Sequence, residues 1–150
     1  MKLSSPAFLY GETIPKKYGQ NYENINPPLI IDGVPAPVVS FVLIMEDPDV
    51  PSAAGVPIWD HWVAFNISAD VKEIPEAWVP TGVRGVGTRG LLDYSGPRPP
   101  DREHRYFFRL YALDAMLNIP EGSSKSQVLQ AAESHVLETA ELMGRFAPSV

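Results

Sequence analysis

Cysteine is absent from this chain of 150 residues. That excludes disulfides and thiolate metal sites and leaves no redox signal about compartment. Long hydrophobic runs are absent as well. No segment approaches the roughly 18 apolar residues of a membrane span, and residues 1–10 hold no apolar stretch of signal-peptide length. No membrane span is expected, and the default location is cytoplasmic. Basic charge is short: Lys and Arg number 12 against 18 Asp and Glu, for a net charge of −6 and a pI near 5.0. A phosphate-backbone binder needs the opposite balance, so nucleic acid is not an expected partner. That exclusion does not reach a local anion site, which an acidic chain can still hold. Familiar catalytic signatures are missing too, with no G-x-S-x-G elbow, H-E-x-x-H or P-loop. A literal G-x-G-x-x-G at Gly85, Gly87 and Gly90 runs on to Ser95-Gly96-Pro97. It fails as a dinucleotide fingerprint because no helix can follow it.

Proline is what the chain has in excess. Sixteen residues is about twice the usual share of roughly 5%. They are dispersed, which points to stiffened loops between strands, since proline is excluded from helix interiors and central strands. Strands are expected over residues 6–10, 29–31, 40–45, 61–67 and 106–114. In 61–67, alternation puts Trp62, Ala64 and Asn66 on one face and Val63, Phe65 and Ile67 on the other. Residues 11–26 read as loop, 68–80 as a connection with a short helical turn, and 81–100 as irregular. Only the end reads as helical. Ser124 and Gln127 form a capping-box pattern, Leu129, Ala132, Val136, Ala140 and Met143 follow at helical spacing, and Gly144 is placed to stop the helix. One domain over residues 1–150 is expected, mainly antiparallel β with a packed C-terminal helix carrying His135.

The polar chemistry concentrates in two places. Strand 40–45 runs into Asp47 and Asp49 around Pro48, and a stiff loop returns through Trp59, Asp60, His61 and Trp62. Residues 93–106 supply Tyr94, Gly96, His104 and Tyr106. Two histidines, each entering an apolar strand with acids close by, suggest one shared pocket. Three uses are open. His61, His104, Asp47 and Asp49 suit Zn or Mn chemically, although no pair has compact ligand spacing. His and Asp also suit general acid–base work, although no activated nucleophile accompanies them. Finally, imidazolium, the two tyrosine hydroxyls and backbone N–H groups near Gly96 suit a phosphate-like anion.

D-P-D-V-P at residues 47–51, W-D-H-W at 59–62 and Y-S-G-P-R-P-P-D-R-E-H-R-Y-F-F-R-L-Y-A-L-D at 94–114 together resemble the phosphatidylethanolamine-binding protein (PEBP) family. That family includes the Raf kinase inhibitor protein and the flowering-time regulators of plants. S-P-A-F, I-P-K-K-Y, P-P-L and A-E-L-M-G-R-F also fit, and the prokaryotic branch is the nearer one. The resemblance implies a PEBP-like fold: a large antiparallel Greek-key sheet packed with a smaller sheet, peripheral helices and a C-terminal helix. It also implies a small pocket for a phosphate-like anion or phosphorylated head group, with no cofactor and no metal. The family's pocket positions fall on Asp47, Pro51, His61, Gly96, Pro99, Pro100, His104 and Tyr106, with Asp49, Trp59 and Tyr94 beside them. A cis Val50–Pro51 peptide is implied. Arg98 departs from the family pattern, and the loop at 52–57 is short. The expected function is a non-enzymatic binding module, regulatory or inhibitory. The alternative is a serine protease inhibitor acting on a protease or other protein partner through the loop at 82–92, and the less favoured reading is a metal-dependent hydrolase. A homodimer is compatible with the relatives.

Overall fold

The computed structural model describes residues 1–79 and 81–149; Pro80, the end of the expected 68–80 connection, lies outside them. Eight strands and one α-helix follow one another: β1 (Lys2–Ser4), β2 (Leu29–Asp32), β3 (Ser40–Asp47), β4 (Trp59–Ser68), β5 (Glu73–Ile74), β6 (Val83–Arg84), β7 (His104–Leu113), α1 (Lys125–Ala132) and β8 (Val136–Phe146). They build two antiparallel sheets, one in the order β1-β2-β5 and one in the order β6-β4-β3-β7-β8. The mainly β expectation with two packed antiparallel sheets therefore holds.

The centre is β3, whose eight residues are all buried. Its near-continuous apolar run is what a strand covered on both faces requires. Alternation then divides its side chains. Phe41, Leu43 and Met45 face the small sheet and share a core with Leu3, Leu29, Ile31 and Ile74. Val42 and Ile44 face the other way and pack with Val128 and Ala132 of α1. The large sheet is thus the middle layer, with the small sheet on one side and the helix on the other. No helix among the described residues is long and apolar enough to cross a membrane.

Three groups of local expectations are corrected: the C-terminal segment, the early elements and the faces of β4. The C-terminal helix does not run to Gly144. It ends at Ala132, a 3-10 turn follows over Glu133–His135, and the remainder is β8. Ala132, Val136, Ala140 and Met143 match a helical period, but Leu142, Gly144 and Phe146 match a period of two, and they are the buried ones. Pairing with β7 from Leu113–Val136 to His104–Phe146 decides the matter. Gly144 is consequently not a helix stop: a Cβ there would lie 2.4 Å from Ile14 Cγ1. His135 sits in the turn and meets Asp114 at 2.8 Å. In the N-terminal region the first strand is residues 2–4 rather than 6–10, and residues 68–79 contain β5 rather than a helical turn.

The third correction concerns faces. Ile67 joins Trp62 and Ala64 in the core under the small sheet, away from Val63 and Phe65. The register with β3 slips between Phe41–Ile67 and Leu43–Ala64, a β-bulge that inverts the alternation beyond it. Asn66 takes φ 54° there, a left-handed conformation asparagine tolerates. Its side chain accepts from the Leu117 N–H and donates to the Leu117 carbonyl.

Candidate functional site

A cavity of about 620 Å³ opens at the end of the large sheet where β3 finishes and β4 and β7 begin. Its polar end is built by strand alternation plus one more bulge. On β7, His104 and Tyr106 share the buried face with Phe108 and Leu110, while Arg105 and Arg109 point to the opposite face. On β3, Asp47 follows Phe41, Leu43 and Met45 onto that same face. On β4, the register passes from Met45–Trp62 to Glu46–Asp60, leaving His61 as the extra residue. Strict alternation would put His61 with Val63 on the helix side. The bulge turns it beside Trp62 instead, and its ring meets Tyr106 edge-on with centroids 5.3 Å apart.

The hydrogen bonds at this end are short and directional. Asp47 is buried and accepts twice, from the Asp49 N–H at 2.7 Å and from His104 Nδ1 at 2.7 Å. The first bond closes the D-P-D turn in the manner of an Asx-turn. His104 Nε2 meets Asp101 Oδ1 at 2.6 Å, so one imidazole is held between two carboxylates. Both can accept from it only when both ring nitrogens carry protons. The His104 bond also holds the Asp101 carboxyl below its usual range. His61 is different. Its Nδ1–H donates to the Ser95 carbonyl at 2.7 Å, which leaves Nε2 as an acceptor in the neutral ring. Burial depresses the His61 pKa, outweighing the Ser95 bond and the nearby Asp47 and Asp60 charges. The Tyr106 phenol is pushed up, chiefly by burial and then by Asp47.

Apolar walls enclose these groups. Pro51, Ala53 and Ala54 come from the loop after β3, Trp59 from the start of β4, and Pro99 and Pro100 from the loop before β7. The Val50–Pro51 bond is trans, since no cis peptide occurs among the described residues. This corrects the cis expectation.

Of the residues singled out in the sequence, Asp47, Pro51, Trp59, His61, Pro99, Pro100, His104 and Tyr106 line the cavity together. Asp49, Tyr94 and Gly96 do not. Asp49 turns outward and takes three hydrogen bonds from Arg105, through the backbone N–H, Nε and Nη2. Those bonds lower its carboxyl to about 2. Tyr94 is buried, with Trp62 edge-on at 5.5 Å, and its hydroxyl donates to the Tyr18 carbonyl. The Gly96 N–H donates to Asn24 Oδ1, and a Cβ on Gly96 would lie 2.1 Å from Tyr18 O. Tyr94 and Gly96 therefore hold the Tyr18 loop against the site rather than face a ligand. That loop brings Gln20 and Asn21 to the cavity wall, and Gln20 N–H bonds the Pro97 carbonyl at 2.9 Å. Gln20, Asn21, Arg89 and Ser149 were not legible as site residues, because loops distant in sequence carry them and no local pattern marks them. Among the described residues no three His, Asp or Glu side chains are grouped to hold a metal ion.

Comparison with known proteins agrees with this architecture. The family model for phosphatidylethanolamine-binding protein matches residues 4–147. A UPF0098 protein of Chlamydia trachomatis is 46% identical over 147 residues, covering 97% of this chain and 98% of its own length. Another UPF0098 protein, from Methanothermobacter thermautotrophicus, is 47% identical over 152 residues, covering 97% and 98%. Among solved structures, the PEBP homolog CT736 of C. trachomatis superposes with a TM-score of 0.95 at 44% identity, covering 99% of this chain and 97% of that one. E. coli YbcL, described as a new member of the mammalian PEBP family, gives 0.89 at 27% identity, covering 99% and 98%. With one family model spanning nearly the whole chain and relatives this similar along their full length, the protein belongs to the phosphatidylethanolamine-binding protein family.

Proposed function

We propose that the chain is a non-enzymatic binding module whose cavity takes a small oxyanion, a phosphate or the phosphorylated end of a larger ligand. The observation that carries this reading is the convergence of His61, His104 and Tyr106 at the closed end of a proline- and tryptophan-walled cavity. Each of these side chains is held by the frame around it. A few fixed polar groups in an otherwise apolar concavity are the usual make-up of a ligand site. His61 sets the protonation rule. Its neutral Nε2 accepts, so an oxyanion binds either by bringing a proton on one oxygen or by drawing a proton onto the ring. Binding is thereby coupled to proton uptake.

The loop at 82–92 gives the inhibitory reading less support than an extended reactive loop would. Three of its four glycines lie against β4, where a Cβ on Gly82, Gly85 or Gly87 would fall 2.5, 2.4 or 2.7 Å from Phe65 O, Val63 Cγ1 or Asp60 O. The Gly85 and Thr88 N–H groups also bond the Val63 and Asp60 carbonyls. Close packing at Gly85 and Gly87, and a φ of 82° at Gly90, account for the glycine spacing that imitates a nucleotide fingerprint.

Calorimetry with sulfate, which does not titrate near neutrality, tests the anion reading. Affinity is expected to be higher at about pH 5.5 than at about pH 8, with uptake of a proton, and His61→Gln is expected to remove the difference. Absence of binding by either sulfate or phosphate, or pH dependence untouched by His61→Gln, overturns it.

A further inference from the structure

The chain has seven arginines. Five have a carboxylate oxygen within 4.0 Å: Arg84, Arg102, Arg105, Arg109 and Arg145. The two with no such partner among the described residues are Arg89 and Arg98, and both line the cavity. On a chain of net charge −6, the two arginines left over among the described residues are gathered at one opening. Their supports are stiff. Arg98 stands between Pro97 and Pro99, each with a locked φ. Arg89 occupies a tight turn closed by Gly90 N–H to the Gly87 carbonyl at 3.0 Å, and its Nη1 reaches Ser95 Oγ at 3.4 Å.

The closed end offers little charge for a ligand to answer. His104 is taken by Asp47 and Asp101, and His61 is neutral. That end selects by hydrogen bonding and shape, and charge recognition falls to the two guanidinium groups at the exposed end. The volume, about 620 Å³, belongs to a small organic molecule rather than to an inorganic ion alone.

Resting on the anion reading above, we propose that Arg89 and Arg98 form a second anion subsite. The ligand is then an organic phosphate with a second anionic group, a carboxylate or another phosphate. One group lies at His61 and Tyr106, the other at the arginines, and the body lies along Trp59, Pro51 and Pro99. A zwitterionic head group such as phosphoethanolamine places a cation where the arginines stand and is the poorer fit.

Titration calorimetry of the intact protein with size-matched probes separates these possibilities. 3-Phosphoglycerate carries two anionic groups, glycerol 3-phosphate one, and O-phosphoethanolamine one together with an ammonium. The expected order is 3-phosphoglycerate tightest, by about tenfold over glycerol 3-phosphate, with phosphoethanolamine weakest. Arg89→Gln and Arg98→Gln, both on exposed side chains, are each expected to bring 3-phosphoglycerate down to the glycerol 3-phosphate level. Glycerol 3-phosphate itself should move by less than about twofold. Equal binding of the two probes, or equal loss of both in the variants, removes the second subsite and leaves the inner one standing. No binding by these probes or by inorganic phosphate removes both.

Discussion

Glu46 and Asp47 are neighbours on β3 and face opposite ways, and the two charge clusters they anchor are built on different rules. On the helix side, Glu46 accepts from Arg109 Nε and from Lys125 Nζ at 2.8 Å; Lys125 also meets Asp60 at 2.7 Å, and Arg109 meets Glu141. Burial works to raise the Glu46 carboxyl, but the Lys125 and Arg109 hydrogen bonds prevail and hold it low. Every cation there is spent on an acid, and the product is mechanical: the start of α1 is fastened directly to β3 and β4, and through Glu46 and Arg109 to β7 and β8. On the cavity side, one imidazole is shared by two acids, a second is neutral, and two arginines have no acid among the described residues. The contrast separates charge that holds the fold from charge left available to a ligand.

Lys125→Met should break the contrast most. It leaves Glu46 and Asp60 without their shared cation in a partly buried setting, and a loss on the order of 3 kcal/mol in urea unfolding is expected. Sulfate affinity should stay within about twofold; a parallel loss of affinity would show that the two faces are not independent. A smaller effect belongs to His61. Because burial lowers its pKa in the folded chain, the unfolded chain takes up the proton first as pH falls through about 6.5. Stability therefore falls with pH below that point, by at most about 1.4 kcal/mol per pH unit, until the folded pKa is reached. His61→Gln should remove this component from urea midpoints compared at about pH 7 and about pH 5, and an unchanged slope would contradict a neutral buried ring. Smallest is Asp101→Asn, which takes one carboxylate off His104. Asp101 is half-exposed, so stability should barely change, while sulfate affinity should rise a few-fold. A fall in affinity would mean that Asp101 helps to hold the anion instead of competing with it.

Much of the site was legible because it lies on strands with strong local patterns. The run of apolar residues ending in D-P-D announces β3, and W-D-H-W and H-R-Y announce the strands on either side. Alternation correctly groups His104 with Tyr106. It fails for His61 and Ile67, because a bulge is a property of two paired strands and leaves no mark in one strand read alone. β8 has a helical look in the sequence because residues 132–143 satisfy both periods, and only its partner β7 chooses between them. Asp49 looked like a site residue by proximity to Asp47, but Arg105, on the outer face of β7, claims it. Arg89 carries no local mark for a similar reason: its meaning lies in having no acid partner among the described residues, which only three dimensions reveal.

The two bulges of β4 have a consequence for how this molecule tolerates change. Each inserts one residue that the neighbouring strand does not match, so the side a residue faces depends on its count along the strand as well as on its chemistry. Deleting the extra position at His61 would restore plain alternation and leave Asp60 opposite Glu46 and Trp59 opposite Asp47, each on its present side. Deleting the matched residue Asp60 instead would bring Trp59 opposite Glu46, taking the indole off the cavity wall and the carboxylate away from Lys125. Substitutions in this segment test single contacts, whereas deleting a matched residue beside the bulge would exchange the binding side of the strand for its anchoring side.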